Sequence, residues 1–282
     1  MSKDVKQVSK FHPKNILNNL PGNRWLYFTR SILRTDYEKE IGFKLREAHG
    51  ANKPPQLMSE FIEFFTKKGE IVLDPFAGVG GTLLGASLCS RKAIGIEIDK
   101  KWVSIYKKVC KTENLQLHPV YVGDCIEIME KFRKQWRRKF HLILTDPPYG
   151  PNLDKTMCNG KYPNRNRASR YNEFSVYEKD FSNSKSLDEY FQRMDSFFRK
   201  AFVVLKDNRY LVLITRNCYK NGEYIMTTAR LSEIGKKEGF TLKGEIIWHQ
   251  NGTRLRPYGY PFVFVPNVIH HNILIFRKEA NK

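Results

Sequence analysis

The chain has 282 residues and a formal net charge of +20, from 49 lysines and arginines against 29 aspartates and glutamates. Hydrophobic residues make up 41% of the chain, which excludes a mainly disordered protein, and no apolar run approaches the ~20 residues that span a bilayer. The basic first residues lack a following apolar stretch, so we expect no secretory signal and a cytoplasmic location. The excess positive charge favours a polyanionic partner, most commonly nucleic acid.

The cysteines and histidines do not predict a metal site. The five cysteines are odd in number and widely spaced, and no two form a C-x-x-C pair, so we expect reduced thiols rather than a disulfide framework or zinc site. His270 and His271 are adjacent in a predicted strand, where neighbouring side chains point to opposite faces. We therefore expect no metal.

The first 41 residues form an N-terminal arm in which aromatic and basic residues mix without a clear period, and no firm element is predicted there. A helix is predicted from Pro54, because Leu57, Phe61, Phe64 and Phe65 fall on one helical face. It should end near the Lys-Lys-Gly sequence at 67–69.

Short apolar strands and helices then alternate along residues 42–282. Strands are predicted at 70–74, 92–98, 117–124 and 141–146, with helices at 81–89, around 102–109 and at 126–136. Further on, helices are predicted near 187–205 and 226–238, and strands at 209–215, 244–250 and 271–278. This alternation is typical of an α/β fold with a mostly parallel sheet.

Two segments interrupt the alternation. Residues 151–186 are polar and rich in Asn, Arg and Tyr, and residues 251–267 contain three prolines and several aromatics. Unstructured insertions of this length in a compact domain usually have a function. We expect both to contribute to recognition of the partner.

The first motif is LDPFAGVGGT at residues 73–82, where a strand ends in Asp74 and glycines open a helix. Glycine allows a ligand to approach the backbone, and amides at a helix N-terminus offer hydrogen-bond donors. Glu97 and Asp124 end the next two predicted strands, so the three carboxylates should converge on one edge of the sheet. Glycines alone would also fit an ordinary turn.

The second motif is TDPPYG at residues 145–150, after the fourth predicted strand. The two prolines fix the backbone and leave rigidly oriented carbonyl acceptors. Asp146, the carbonyl of Pro147 and the ring of Tyr149 together suit a planar ring that carries an exocyclic amine.

The two motifs in this register resemble the S-adenosylmethionine-dependent amino-group DNA methyltransferases of the adenine-N6 and cytosine-N4 type. The resemblance covers most of residues 42–278 and implies a Rossmann-like, class I methyltransferase sheet of seven strands, with one antiparallel edge strand near 271–278. It further implies that segment 49–58, which includes Lys53, contacts the methionine end of the cofactor.

The resemblance also assigns roles to individual residues. Asp74, Phe76, Gly78 and Gly80 would line the methionine moiety, Glu97 would hold the ribose, and Asp124 would face the adenine amine of the cofactor. Asp146, Pro147, Pro148 and Tyr149 would hold the target base and form the catalytic site.

The interval between Asp124 and Asp146 is too short for a target-recognition domain. We therefore expect DNA contacts from the segment 161–171, where arginines alternate with tyrosines, through Lys161, Arg165, Arg167 and Arg170. The sequence leaves open whether a restriction or specificity partner exists.

The predicted activity is methylation of adenine N6 in DNA. By resemblance, Asp146 at the first position of the DPPY sequence favours this target, since aspartate at that position is commoner in adenine enzymes. Cytosine-N4 methylation, RNA guanine-N2 methylation and a non-catalytic binding subunit stay open as alternatives. Methylation of a cytosine ring carbon is disfavoured, because the Pro-Cys nucleophile motif is absent.

Overall fold

The computed structural model describes residues 12–37, 41–49, 52–150, 176–251 and 255–280. Within them, an eight-stranded sheet forms the centre of the molecule. Its strands are β1 (Ile32–Thr35), β2 (Ile71–Asp74), β3 (Lys92–Glu97), β4 (Val120–Val122), β5 (Phe140–Thr145), β6 (Leu205–Thr215), β9 (Thr241–Gln250) and β10 (His270–Lys278). Strands β7 (Cys218–Lys220) and β8 (Glu223–Ile225) pair separately as a small ribbon.

The strands of the sheet lie in the order β4-β3-β2-β5-β6-β10-β9-β1. All neighbouring pairs are parallel except those of β10, which runs antiparallel to both β6 and β9. The carboxyl ends of the parallel strands therefore meet at one edge of the sheet, which we call the carboxyl edge.

Helices cover both faces of the sheet. They are α1 (Gly22–Phe28), α2 (Phe43–Arg46), α3 (Pro55–Phe65), α4 (Gly81–Leu88), α5 (Lys100–Thr112), α6 (Cys125–Lys131), α7 (Arg133–Trp136), α8 (Leu187–Val204) and α9 (Thr227–Lys237). One apolar core lies between the sheet and α3, α4 and α5, and a second lies between the opposite face and α6, α8 and α9. In the described part of the chain, no helix is long and apolar enough to cross a membrane.

The predicted α/β class is confirmed, with differences in detail. The sheet has an eighth strand, β1, which pairs with β9 in the N-terminal arm where no element was predicted. The antiparallel strand lies inside the sheet, between β6 and β9, rather than at its edge. The helix predicted over 126–136 divides into α6 and α7 at Phe132.

Aromatic packing explains how the N-terminal arm is held. Phe28 of α1 stacks on Phe64 of α3 with ring centroids 4.0 Å apart, and its edge meets Phe61 at 5.0 Å. These contacts lie toward the end of α3 that leads into β2, and therefore away from the carboxyl edge. The apolar face predicted for α3 thus packs against both the sheet and the arm.

Replacing Phe61 by alanine should destabilise the fold strongly. The Phe61 side chain is fully buried, so its removal leaves a cavity between α3, the sheet and Phe28, and the free energy of unfolding should fall by about 3–5 kcal/mol. Urea denaturation measures the loss. The exposed Tyr27, replaced by alanine, is the control and should change stability by less than about 0.5 kcal/mol. Equal stability of the two variants would contradict this packing.

Candidate active site

A cleft opens across the carboxyl edge, above the ends of β2, β3 and β5. Its empty volume is about 990 Å³, including its open mouth. The lining includes every residue predicted to hold the cofactor except Gly80, and all four of the predicted catalytic residues: Lys53, Asp74, Phe76, Gly78, Glu97, Asp124, Asp146, Pro147, Pro148 and Tyr149. The sheet thus brings the two sequence motifs to one site.

The glycine motif forms the floor of the cleft. Gly78 and Gly80 have φ angles of +49° and +82°, in the left-handed region where glycine is unstrained. A Cβ atom at Gly80 would overlap the ring of Tyr106, so this turn also needs the absence of a side chain. Gly78 and Gly81, on either side of this turn, line the cleft where α4 begins.

Glu97 connects the end of β3 to this glycine turn. Its carboxylate accepts hydrogen bonds from the backbone N–H groups of Gly78, at 2.7 Å, and Asp99, at 2.9 Å. Burial nevertheless raises the pKa of Glu97 from 4.5 to about 7. The carboxylate is held in place at the wall of the cleft by backbone donors alone.

Asp74 connects β2 with β5. One of its oxygens accepts hydrogen bonds from the Thr145 hydroxyl at 2.6 Å and from the Phe76 N–H at 3.1 Å. Burial raises the pKa of this carboxyl to about 6, although these hydrogen bonds favour the charged form. Because Thr145 immediately precedes Asp146, this contact ties the glycine motif to the second motif.

Asp124 begins α6 and is already bound on both oxygens. Oδ1 caps the helix by accepting from the N–H groups of Ile126, at 2.9 Å, and Glu127, at 3.0 Å. Oδ2 pairs with Arg193 of α8 at 3.0 Å. Arg193 in turn lies over the ring of Phe181, 4.4 Å from its centroid. The side chain predicted to face the cofactor adenine thus also anchors α8.

Asp146 lies at the opposite end of the cleft from Asp124, in contact with two donors. The Lys53 ammonium approaches Oδ2 to 2.6 Å, and the Tyr149 hydroxyl donates to Oδ1 at 2.7 Å. Burial raises the pKa of Asp146, while both contacts offset part of the increase. Lys53, predicted at the methionine end of the cofactor, therefore also belongs to the catalytic motif.

His271 supports Tyr149 from behind. The two rings meet edge to face with centroids 5.7 Å apart. On the neighbouring strand β9, the indole of Trp248 lies 4.8 Å from the imidazole of His271. Burial, together with the nearby Lys53 and Arg216 cations, lowers the pKa of His271 to about 2. This histidine is therefore neutral and acts as a packing group.

Several residues of the site were not predicted from the sequence. Trp102 and Phe181 line the cleft, and Phe181 is carried there by a short 3-10 helix (Phe181–Asn183) just before α8. The sequence pattern places Trp102 on a helix but does not predict that it lines the site. Its position five residues after Glu97, at the end of β3, is the signal that could have indicated this. The predicted DNA contacts Lys161, Arg165, Arg167 and Arg170 lie outside the described residues.

The residues that line the cleft suit the chemical groups of S-adenosylmethionine. A carboxylate at the end of β3 suits ribose hydroxyls, and the bare glycine backbone lets a ligand approach closely. Trp102 and Phe181 offer apolar surfaces for a planar ring, and Asp74 provides negative charge near the glycine turn. In the described segments, no group of three or more His, Cys, Asp or Glu residues could hold a metal ion.

Comparisons with known proteins agree with this geometry. A family model described as DNA methylase, N6_N4_Mtase, matches residues 2–108 and 140–282. The predicted dependence of this family on S-adenosylmethionine is confirmed.

Curated relatives include a tRNA-modifying enzyme and a Type II methyltransferase. A tRNA (guanine(10)-N2)-dimethyltransferase of Pyrococcus abyssi is 27% identical over 54% of this chain and 49% of its own length. Type II methyltransferase M2.DpnII of Streptococcus pneumoniae is 38% identical over 23% of this chain and 25% of its own. The chain spans about half the length of two curated tRNA-modifying relatives that it matches.

A solved structure shares the fold. TrmN from Thermus thermophilus aligns with a TM-score of 0.51 and 16% identity, over 84% of this chain and 53% of that one.

Replacing Glu97 by glutamine tests the electrostatics of the cleft. Because folding raises the pKa of Glu97 from 4.5 to about 7, its stabilising effect is present below pH 4.5 and is lost as the pH rises through about 7. The free energy of unfolding of the ligand-free wild type should therefore fall, relative to Glu97→Gln, by about 2–3 kcal/mol between pH 5 and pH 8. Urea titrations at each pH measure this difference, and parallel pH profiles would contradict the raised pKa.

Proposed function

Because this chain belongs to the DNA methylase family N6_N4_Mtase, we propose that it transfers a methyl group from S-adenosylmethionine to the exocyclic amine of a nucleic-acid base. The observation that carries the proposal is the buried carboxylate of Asp146, held between Lys53 and Tyr149 in the same cleft as the glycine turn. When bound, the cofactor supplies an electrophilic methyl group on a sulfonium centre.

The cofactor half of the cleft comprises the glycine turn and the carboxylates around it. Glu97 would hold the ribose hydroxyls, since its carboxylate is fixed by two backbone donors and still has free lone pairs. Asp74, Phe76 and Gly78 would line the methionine moiety, while Gly80 shapes the turn from outside the lining. Asp124 would face the adenine ring, with Trp102 and Phe181 as the apolar walls.

The base half of the cleft is formed by residues 146–149. An ionised carboxylate offers about four acceptor positions, so Asp146 can accept from a base amine while it keeps its bonds to Lys53 and Tyr149. The carbonyl of Pro147 would accept the second amine hydrogen, and Tyr149 would stack on the base. These acceptors favour a more tetrahedral nitrogen and offset the positive charge that develops on it.

Lys53 acts by holding Asp146. The Lys53 side chain is 6% exposed and its ammonium contacts Oδ2 directly, so it fixes the carboxylate and favours its ionised form against the effect of burial. The raised pKa of Asp146 also suits acceptance of the proton that the methylated amine must lose. No covalent intermediate on the protein is required.

We propose adenine N6 in DNA as the target. A carboxylate is a stronger acceptor for the amine hydrogen than the serine hydroxyl found in cytosine-N4 relatives, and a purine offers more area for stacking on Tyr149. A match to DNA adenine methyltransferase YhdJ of Escherichia coli, 35% identical over 30% of this chain and 26% of its own length, supports this choice.

Guanine N2 in RNA is the second candidate. A tRNA (guanine(10)-N2)-dimethyltransferase matches 54% of this chain, over about half of its own length. Guanine also carries an exocyclic amine beside a ring nitrogen, so the Asp146 site suits its chemistry.

Nucleoside analysis distinguishes these targets. DNA and RNA from cells that express the chain are digested separately, and the modified nucleosides are resolved by mass spectrometry. We expect N6-methyladenine in DNA that is absent from cells expressing an Asp146→Asn variant. N4-methylcytosine alone would change the base but keep the reaction, whereas N2-methylguanine in RNA would establish the second candidate.

The Asp146→Asn variant should lose methyl transfer while it retains the cofactor. Asparagine keeps the shape but cannot accept from both the amine and Lys53 as a carboxylate does, so kcat should fall at least about 100-fold. The dissociation constant for S-adenosylmethionine, measured by calorimetry, should change by less than about tenfold, or roughly 1.4 kcal/mol.

Asp195→Asn is the matched control for this variant. Asp195 is on α8, where it pairs with Arg199 and Lys237 outside the cleft, and surface pairs of this kind contribute little. Its activity should equal that of the wild type. A larger loss of cofactor affinity than of turnover in Asp146→Asn would place Asp146 in the cofactor half instead.

A further inference from the structure

The loop between β9 and β10 rises from the carboxyl edge beside the base half of the cleft. It leaves the sheet after Gln250 and returns at His270, which pairs with His249 across the strands. The next residue, His271, contacts the ring of Tyr149. Residues 255–267 of this loop therefore lie next to the proposed target-base pocket.

The base of the loop is clamped by Asn267. Its side-chain amide accepts a hydrogen bond from the Arg256 N–H and donates one to the Arg256 carbonyl, both at 2.8 Å. Further along, the Gly259 carbonyl accepts from the N–H groups of Phe262 and Val263, each at 2.9 Å. A Cβ at Gly259 would overlap the Val263 carbonyl, so the turn requires glycine. These bonds define a tight, closed loop.

The closed loop presents three aromatic side chains to solvent. Tyr260, Phe262 and Phe264, which we call the aromatic tip, are 77%, 83% and 87% exposed. Large apolar side chains concentrated on one exposed turn are unusual for a protein surface and mark an interaction site. Because the backbone hydrogen bonds hold the turn, the aromatic rings are not needed to maintain its shape.

A half-buried cation lies between the loop and the base pocket. Burial lowers the pKa of the Arg216 guanidinium, just after the end of β6, while the nearby Tyr149 and Tyr258 raise it. Burial lowers the pKa of His270 and His271, and nearby cations that include Arg216 lower it further. An arginine in this position suits a phosphate group of a nucleic-acid strand that enters the base pocket.

We propose that the aromatic tip is a wedge that enters the base stack of duplex DNA next to the target base. A base must leave the helix to reach Tyr149, and the rings of Phe262 and Phe264 would replace the stacking lost in the gap. Arg216 would bind the adjacent backbone phosphate. This inference rests on the proposed function, and it adds a duplex-opening surface that the catalytic motif does not supply.

The double variant Phe262→Ala/Phe264→Ala tests the wedge. The target sequence is first mapped in DNA from cells that express the chain, and kcat/KM is then measured on two duplexes. In one duplex the target base is paired; in the other it faces an abasic site, so it is already unpaired. The variant should lose about tenfold or more on the paired duplex and less than about twofold on the abasic one.

Two further variants control for other causes. Phe262→Trp/Phe264→Trp keeps large stacking rings and should restore activity on the paired duplex. Tyr27→Ala removes an exposed aromatic on α1, away from the carboxyl edge, and should behave as wild type. Unchanged activity of the alanine double variant on the paired duplex, or an equal loss on both duplexes, would overturn the wedge.

Binding separates this inference from the proposed function. The affinity for a fluorescein-labelled duplex, measured by anisotropy, does not require methyl transfer. If the wild type methylates no base, the proposed function fails, yet an affinity at least about fivefold weaker for the alanine double variant than for Tyr27→Ala still supports the tip as a DNA contact. Unchanged duplex affinity, or loss only of binding to anionic phospholipid vesicles, would overturn it.

Discussion

The carboxylates along the carboxyl edge include Asp74, Glu97 and Asp124, which are buried, and Asp146, whose side chain is 15% exposed, and each of them needs its own donors to remain there. Backbone N–H groups hold Glu97, while the hydroxyl of Thr145 and one N–H hold Asp74. Among the residues that the structure describes, Arg193 pairs with Asp124 and Lys53 pairs with Asp146. The distribution of donors therefore sets the charge at each point of the cleft.

This distribution divides the cleft into two connected halves. Asp74 and Glu97, without cations, have pKa values raised by burial, and both lie where a sulfonium would be attracted. Asp146 is matched by Lys53 and faces the base half. The hydrogen bond from Thr145 to Asp74 joins the halves, because Thr145 and Asp146 are consecutive on the chain. The proposed cofactor and base sites are thus connected through a single strand end.

The sequence predicted those features that depend on local patterns. Alternating apolar runs located β2, β3, β5 and the helices between them, and glycine spacing located the turn at Gly78 and Gly80. Features set by distant contacts were not predictable in this way. β1 is short and lacks a clear period, and it is a strand only because β9 offers an open edge. The partner of Asp124, Arg193, lies 69 residues further along the chain, and no spacing rule connects them.

The interior position of β10 has a consequence for assembly of the protein. β9 and β1 are joined to β6 only through β10 in this sheet. Their attachment therefore depends on β10, which follows the other seven strands of the sheet in the sequence. During synthesis from the N-terminus, the ribosome must release residues 270–278 before this half of the sheet can close. The same strand brings His271 behind Tyr149, so closure of this half of the sheet also positions the ring that packs against Tyr149.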